Sequence, residues 1–136
     1  MKRILILCLA MALAMPVTAA NVVIINANNT SATDMETVQR IYLGKLKAFA
    51  DGSRALALTY DQGDALRELF NNEVLGKSES QYSAFWSKLV FTGRGTPPES
   101  VASQEEMVKL VGTNPNTIGF VDESLVNDSV KVIGNF

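Results

Sequence analysis

Tyr82-Ser-Ala-Phe-Trp-Ser-Lys-Leu-Val-Phe-Thr-Gly-Arg-Gly-Thr-Pro-Pro98 divides into two halves that obey different rules. Tyr82, Phe85, Trp86, Leu89 and Val90 recur at the i, i+3, i+4, i+7, i+8 spacing of a helix with one face against a core. Thr92-Gly-Arg-Gly-Thr96 breaks that period. Its two glycines let the chain turn or let backbone come close to something, and the paired prolines stop any further helix. An arginine, hydroxyls and backbone N–H groups in one loop are the ingredients of an anion-holding corner. The same letters also describe a helix C-cap and an ordinary glycine turn, the commoner meaning of a short Gly-x-Gly.

Working outward, Ser78-x-x-Gln81 is a capping box that opens this helix. Asp61-Gln-Gly-Asp64 leads into an earlier helix with Leu66, Leu69, Phe70 and Val74 inward, closed by Gly76. Residues 55–60 read as a strand, preceded by the tight-turn dipeptide Asp51-Gly52. Thr33-x-x-Glu36 is a second capping box, and Met35, Val38, Ile41 and Tyr42 make its helix amphipathic up to Gly44. The apolar run at residues 21–26, rich in β-branched residues, predicts a buried strand, expected to be parallel. Downstream, Ser103-x-x-Glu106 opens a helix with Met107, Leu110 and Val111 on one side. Asn114-Pro-Asn is a turn, and strands come after it at 117–121 and 130–133. Strands alternating with helices predict an open α/β sheet, mostly parallel and flanked by helices.

The 136 residues suffice for one domain. Residues 1–20 read as a secretory signal: Lys2 and Arg3, then the apolar run at 4–14, then small residues ending Thr18-Ala-Ala20. That run is too short to span a bilayer comfortably, so cleavage is expected, with no membrane insertion afterwards, leaving one domain over residues 21–136 in the periplasm or outside the cell. Cys8, the single cysteine, lies inside the run; residues 21–136 hold no thiol, and the chain has no histidine. The expected fold must therefore rest on its core alone, without disulfides. Twelve Lys and Arg stand against fourteen Asp and Glu, and loss of Lys2 and Arg3 makes the remainder more acidic still. A net acidic chain without a basic run argues against nucleic acid or an anionic membrane as partner.

Without His or Cys the usual zinc, copper and haem sites cannot form, and no cofactor or metal is expected. Serine hydrolysis would need another base, and neither Gly-x-Ser-x-Gly nor a Gly-Lys phosphate loop occurs. The carboxylate pairs Asp61/Asp64 and Glu105/Glu106 sit at expected helix starts, where acids favour the positive end of the dipole. An enzyme is not expected; binding is. Open α/β sheets bind ligands beyond the carboxyl ends of their strands, where helices begin. Three loops fit that description: residues 28–33 with Thr30 and Ser31, residues 60–65 with Gly63 and Asp64, and residues 92–96 with Thr92, Gly93, Arg94 and Thr96. Arg94 is the one obvious positive charge among them. The hydroxyls of Thr30, Ser31 and Thr33 also suit plain loop and cap roles.

Several phrases together resemble a known family. Ile41-Tyr-Leu-Gly-Lys45 followed by Asp51-Gly52, a strand, Gly63 and Phe70, the Trp86 helix, and Val111 through Asn114-Pro-Asn-Thr-Ile-Gly-Phe-Val121 are similar to the periplasmic phosphate-binding proteins of bacterial uptake systems. The similarity runs over about residues 38–121, and the phrase at 91–98 looks like that of short, single-lobe exported relatives. The resemblance implies one lobe of a type II periplasmic binding protein-like fold, a small anion such as phosphate as ligand, and a membrane permease as partner. It departs from the family at Gly63-Asp-Ala-Leu66, where the family has a Gly-Ser-Gly-Thr turn, and near Tyr60, where the family places an arginine. A carboxylate there repels an anion in a partly desolvated cleft by on the order of a few kcal/mol. The expected function is thus an exported solute-binding module for a small anion, linked to uptake, with Arg94 as charge partner. The alternative is a protein-interaction or sensory adaptor whose ligand site has degenerated.

Overall fold

The computed structural model describes residues 20–136; the leader expected over residues 1–20 lies outside the described residues except for Ala20. Five strands form one sheet in the order β3-β2-β4-β1-β5: β1 Asn21–Asn26, β2 Leu56–Tyr60, β3 Glu99–Val101, β4 Thr117–Asp122 and β5 Val130–Asn135. β2 runs parallel to both β3 and β4, whereas β1 is antiparallel to both β4 and β5. Four strands therefore point one way and β1 the other, a mostly parallel sheet as expected but with β1 reversed. The sequence misled on β1 because burial on both faces, not strand direction, produces an unbroken apolar run. Val22 through Asn26 are indeed all buried.

The helices are α1 Met35–Tyr42, α2 Ala65–Glu73, α3 Glu79–Phe91 and α4 Gln104–Thr113. Alternate residues of β4 face opposite layers. A Cβ on Gly119 would strike Met107 and Val111 of α4, while Phe120 stacks on Phe70 of α2 and meets Tyr42 of α1 edge-on. α4 thus covers one face, and α1 and α2 cover the other. The Ser78 capping box on α3 is present in full. At α1 the cap is Asp34 rather than Thr33: its carboxylate, one residue nearer the first turn, accepts from the Thr37 N–H.

Two of the apolar stripes are narrower than their spacing predicts. On α2 the buried residues are Arg67, Phe70 and Asn71, while Leu69 is among the exposed hydrophobics. On α3, Tyr82 and Trp86 are buried but Val90 is half exposed, and the helix ends at Phe91 with 90% of its surface in solvent. The short edge strand β3 and a 3-10 turn at Glu123–Leu125 were not anticipated; three residues carry too little period to read.

Gly44 closes α1 at φ +70°, and an added Cβ would lie 2.9 Å from Cη2 of Trp86. A side chain there would be strained by the backbone and would also push the ring, so Gly44→Ala is expected to cost about 2 kcal/mol. Thermal unfolding checks this. A loss indistinguishable from zero would mean that the indole is not held against this turn.

Candidate functional site

The corner between β2 and α2 is the first place to look for an anion, because a strand ends there and a helix begins. Gly63 takes φ +94°, turning the chain so that Asp64 can cap α2. The Asp64 carboxylate accepts from the N–H groups of Leu66 at 2.8 Å and Arg67 at 3.1 Å. Those are the donors a bound anion would need, so the chain's own carboxylate occupies the anion's place. The nearest cation is engaged too. Arg67 is 9% exposed and donates to Glu79 twice, at 2.5 and 3.2 Å, and to the Tyr60 carbonyl at 2.9 Å. Its guanidinium lies 5.1 Å from the centre of the Tyr82 ring.

The surroundings add more negative charge. β2, β3 and β4 end side by side; Asp122 is the last residue of β4, and Asp61, Asp64, Glu105, Glu106 and Glu123 follow within five residues of a strand end. Burial raises the Tyr60 hydroxyl's pKa well above its ordinary value, and the charges of Asp64 and Glu105 raise it further. That hydroxyl donates to the Phe120 carbonyl. Burial likewise pushes Tyr82 up to about 12, with Arg67 opposing the shift. This end of the sheet is electrostatically hostile to an anion.

The other two loops lie at the opposite end, where β2, β3 and β4 begin. Reversal of β1 sends its following loop there. Asn29 is buried in it, donating to the Pro115 carbonyl at 3.4 Å and accepting from the Ser31 N–H at 2.9 Å. Thr30 is exposed, and Ser31 has a buried hydroxyl without a partner. The loop after α3 is a helix C-cap in detail. Gly93, at φ +68°, donates to the Val90 carbonyl and Arg94 N–H donates to the Leu89 carbonyl, the paired bonds of a Schellman ending. The Thr92 hydroxyl is taken up by the Lys88 carbonyl at 2.9 Å.

At this end of the sheet lies an open cleft of about 790 Å³. One wall is a small hairpin over residues 47–54, closed by the Ala48–Arg54 bridge and carrying Lys47 and Arg54. The facing wall runs from Gly93 through Gly95 and Thr96 to Glu99, and a third side is the turn at Asn114–Thr117. Leu56, Leu58, Leu110 and Trp86 supply apolar lining. Among the described residues Arg67–Glu79 is the one ion pair, so neither cation of the hairpin is neutralised by a carboxylate.

Of the eight residues expected in a site, Gly93 and Thr96 line this cleft, whereas Gly63 and Asp64 sit at the far end of the sheet. Thr30, Ser31, Thr92 and Arg94 are outside its lining, and the Arg94 side chain is exposed. Lys47 and Arg54 were missed. Their one signal in the sequence is a position on either side of the Asp51-Gly52 turn, which brings two cations to one hairpin.

No protein-family model matches the chain, and no curated protein matches it in sequence. Solved structures do match its fold. A protein from Clostridium perfringens, described as a phosphate ABC transporter substrate-binding protein with bound phosphate, superposes with a TM-score of 0.66 at 19% identity, over 85% of this chain and 44% of that one. An ABC-type phosphate transport receptor from Vibrio cholerae gives 0.64 at 19% identity, over 85% and 45%. PstS from Borrelia burgdorferi gives 0.62 at 10% identity, over 85% and 46%. The chain thus has the fold of a single lobe of such binding proteins and spans less than half the length of these structures.

Proposed function

We propose that this chain is an exported solute-binding module that takes a small anion in the cleft where β2, β3 and β4 begin. The observation that carries the reading is the pair of cations without a carboxylate partner, Lys47 and Arg54, on one wall of a concavity whose other walls offer Thr96 and Asn116. The opposite end of the sheet, with its acids and its self-capped helix, gives an anion nothing to bind. The likeness in fold to proteins described as phosphate receptors supports a solute-binding role. Arg94, flanked by Gly93 and Gly95 of the lining, would add long-range attraction rather than direct contact. Export rests on the leader read in residues 1–20, and delivery to a membrane permease or sensor would depend on it.

Isothermal titration with phosphate, sulfate and acetate tests the proposal. Binding below millimolar is expected for at least one of them, weakened about tenfold by Arg54→Gln, the worth of one hydrogen bond to a charged group. No heat with any anion removes the reading.

A second reading draws support from α3, whose last residues Val90 and Phe91 present apolar surface to solvent. A free aromatic at a helix end suits docking on another protein. A stoichiometric partner lost on Phe91→Ser, with no anion bound in calorimetry, would favour an interaction module instead.

A further inference from the structure

We infer that the ligand of this cleft is an anion carrying an apolar body, such as an aryl or branched alkyl carboxylate or phosphate ester, rather than a bare inorganic oxyanion. The inference rests on the reading of the cleft as the ligand site and goes on to name what fits it. Size is the first argument. About 790 Å³ lies within the range of cavities that enclose drug-sized ligands, and a single tetrahedral oxyanion would leave most of it to water.

The supply of donors is the second. A bare oxyanion needs donors converging from several sides, and backbone N–H groups normally provide them. Around this cleft many are already committed. Leu56 N–H goes to the Asn116 carbonyl, Ala55 to Lys47, Gly93 to Val90, and Thr117 to Asn114. What remains, besides the side chains of Thr96 and Asn116, is charge concentrated on the hairpin, enough to hold one end of a molecule.

The lining is the third argument. Leu56 begins β2 at the cleft with 41% of its surface exposed, and Leu110, Pro97 and Pro98 continue the apolar surface beside it, backed by the buried Leu58 and Trp86. Covering such surface is favourable in proportion to its area. Glu99, the single acid in the lining, pairs in register with Leu58 and so stands on the β3 side. It repels a negative group there. A ligand is thereby oriented with its charge toward Lys47 and Arg54 and its body along β2.

The test compares four probes by calorimetry on the purified protein: inorganic phosphate, phenylphosphate, acetate and benzoate. Binding is tracked in parallel by the fluorescence of Trp86, the one tryptophan of the chain. Phenylphosphate and benzoate are each expected to bind at least tenfold more tightly than phosphate and acetate, and to change the Trp86 emission. Leu56→Gln, at a position exposed enough to leave folding intact, is expected to remove most of that preference, bringing the aryl probes to within about threefold of phosphate and acetate. Benzoate against phenylphosphate then reports which head group the hairpin prefers, either order supporting the inference provided that the aryl preference holds. Equal or tighter binding of inorganic phosphate overturns this inference and leaves the anion-binding proposal standing. Failure of all four probes overturns both. An aryl preference untouched by Leu56→Gln overturns the placement of the apolar body along β2.

Discussion

Replacing Glu79 by alanine is expected to destabilise the protein by about 3 kcal/mol, the lower end of what removal of one partner from a buried ion pair costs. Arg67 would remain under the surface, its guanidinium facing the Tyr82 ring and one carbonyl, with two donated bonds lost. Asn71 would lose an acceptor as well, since its amide donates to the same carboxylate at 3.2 Å. Urea unfolding reads the effect as a lower midpoint at unchanged slope. The double replacement Arg67→Met with Glu79→Leu should recover most of the loss, because the cost lies in stranding a charge rather than in lacking a pair. A single-mutant loss below about 1 kcal/mol would place the pair among the weak, solvated kind and refute the account.

Phe120→Ala is expected to cost about 4 kcal/mol, within the range for emptying an aromatic site in a packed core. Its ring has no solvent exposure and stacks on Phe70 at 4.1 Å with only 3° between planes. Tyr42, Tyr60 and Phe136 meet it edge-on at 6.1, 5.2 and 6.0 Å. One side chain of β4 thus joins α1, α2, β2 and the residue after β5. Chemical denaturation checks the magnitude, and near-ultraviolet circular dichroism should lose intensity as the aromatic packing loosens. A variant as stable as the parent would mean that the cluster collapses freely into the vacancy, contrary to its close packing.

What the sequence made legible was local and periodic. The Ser78 box, the Trp86 helix, the Gly44 stop and four of the five strands could be read because each is written within a few residues. Strand direction could not, since Val22 to Ile25 look the same whichever way their neighbours run. The reversal sent the loop with Thr30 and Ser31 to the end where β2, β3 and β4 begin. Thr96 lies there because it precedes β3, and Gly63 and Asp64 lie at the other end because they follow the parallel β2. The inward face of α2 was misread for a related reason. Arg67 displaces Leu69 from the interior because Glu79, twelve residues further on, offers it a partner that no helical spacing reveals. The arginine of the Gly-x-Gly loop looked like a site from composition, but Leu89 and Val90 carbonyls claim that loop's N–H groups. The hairpin cations were visible only as unrelated letters flanking a turn.

Val22 pairs with both Val121 and Asn135, so the earliest strand of the sheet is seated between two that come last in the sequence. A slot of that kind cannot be filled as the polypeptide lengthens; it does not exist until β4 and β5 are both available. Bringing such distant segments together costs loop entropy before any contact repays it, which slows folding in proportion to how nonlocal the topology is. Until then the run of valines and isoleucines in β1 has nowhere to hide and stays open to contact with other chains.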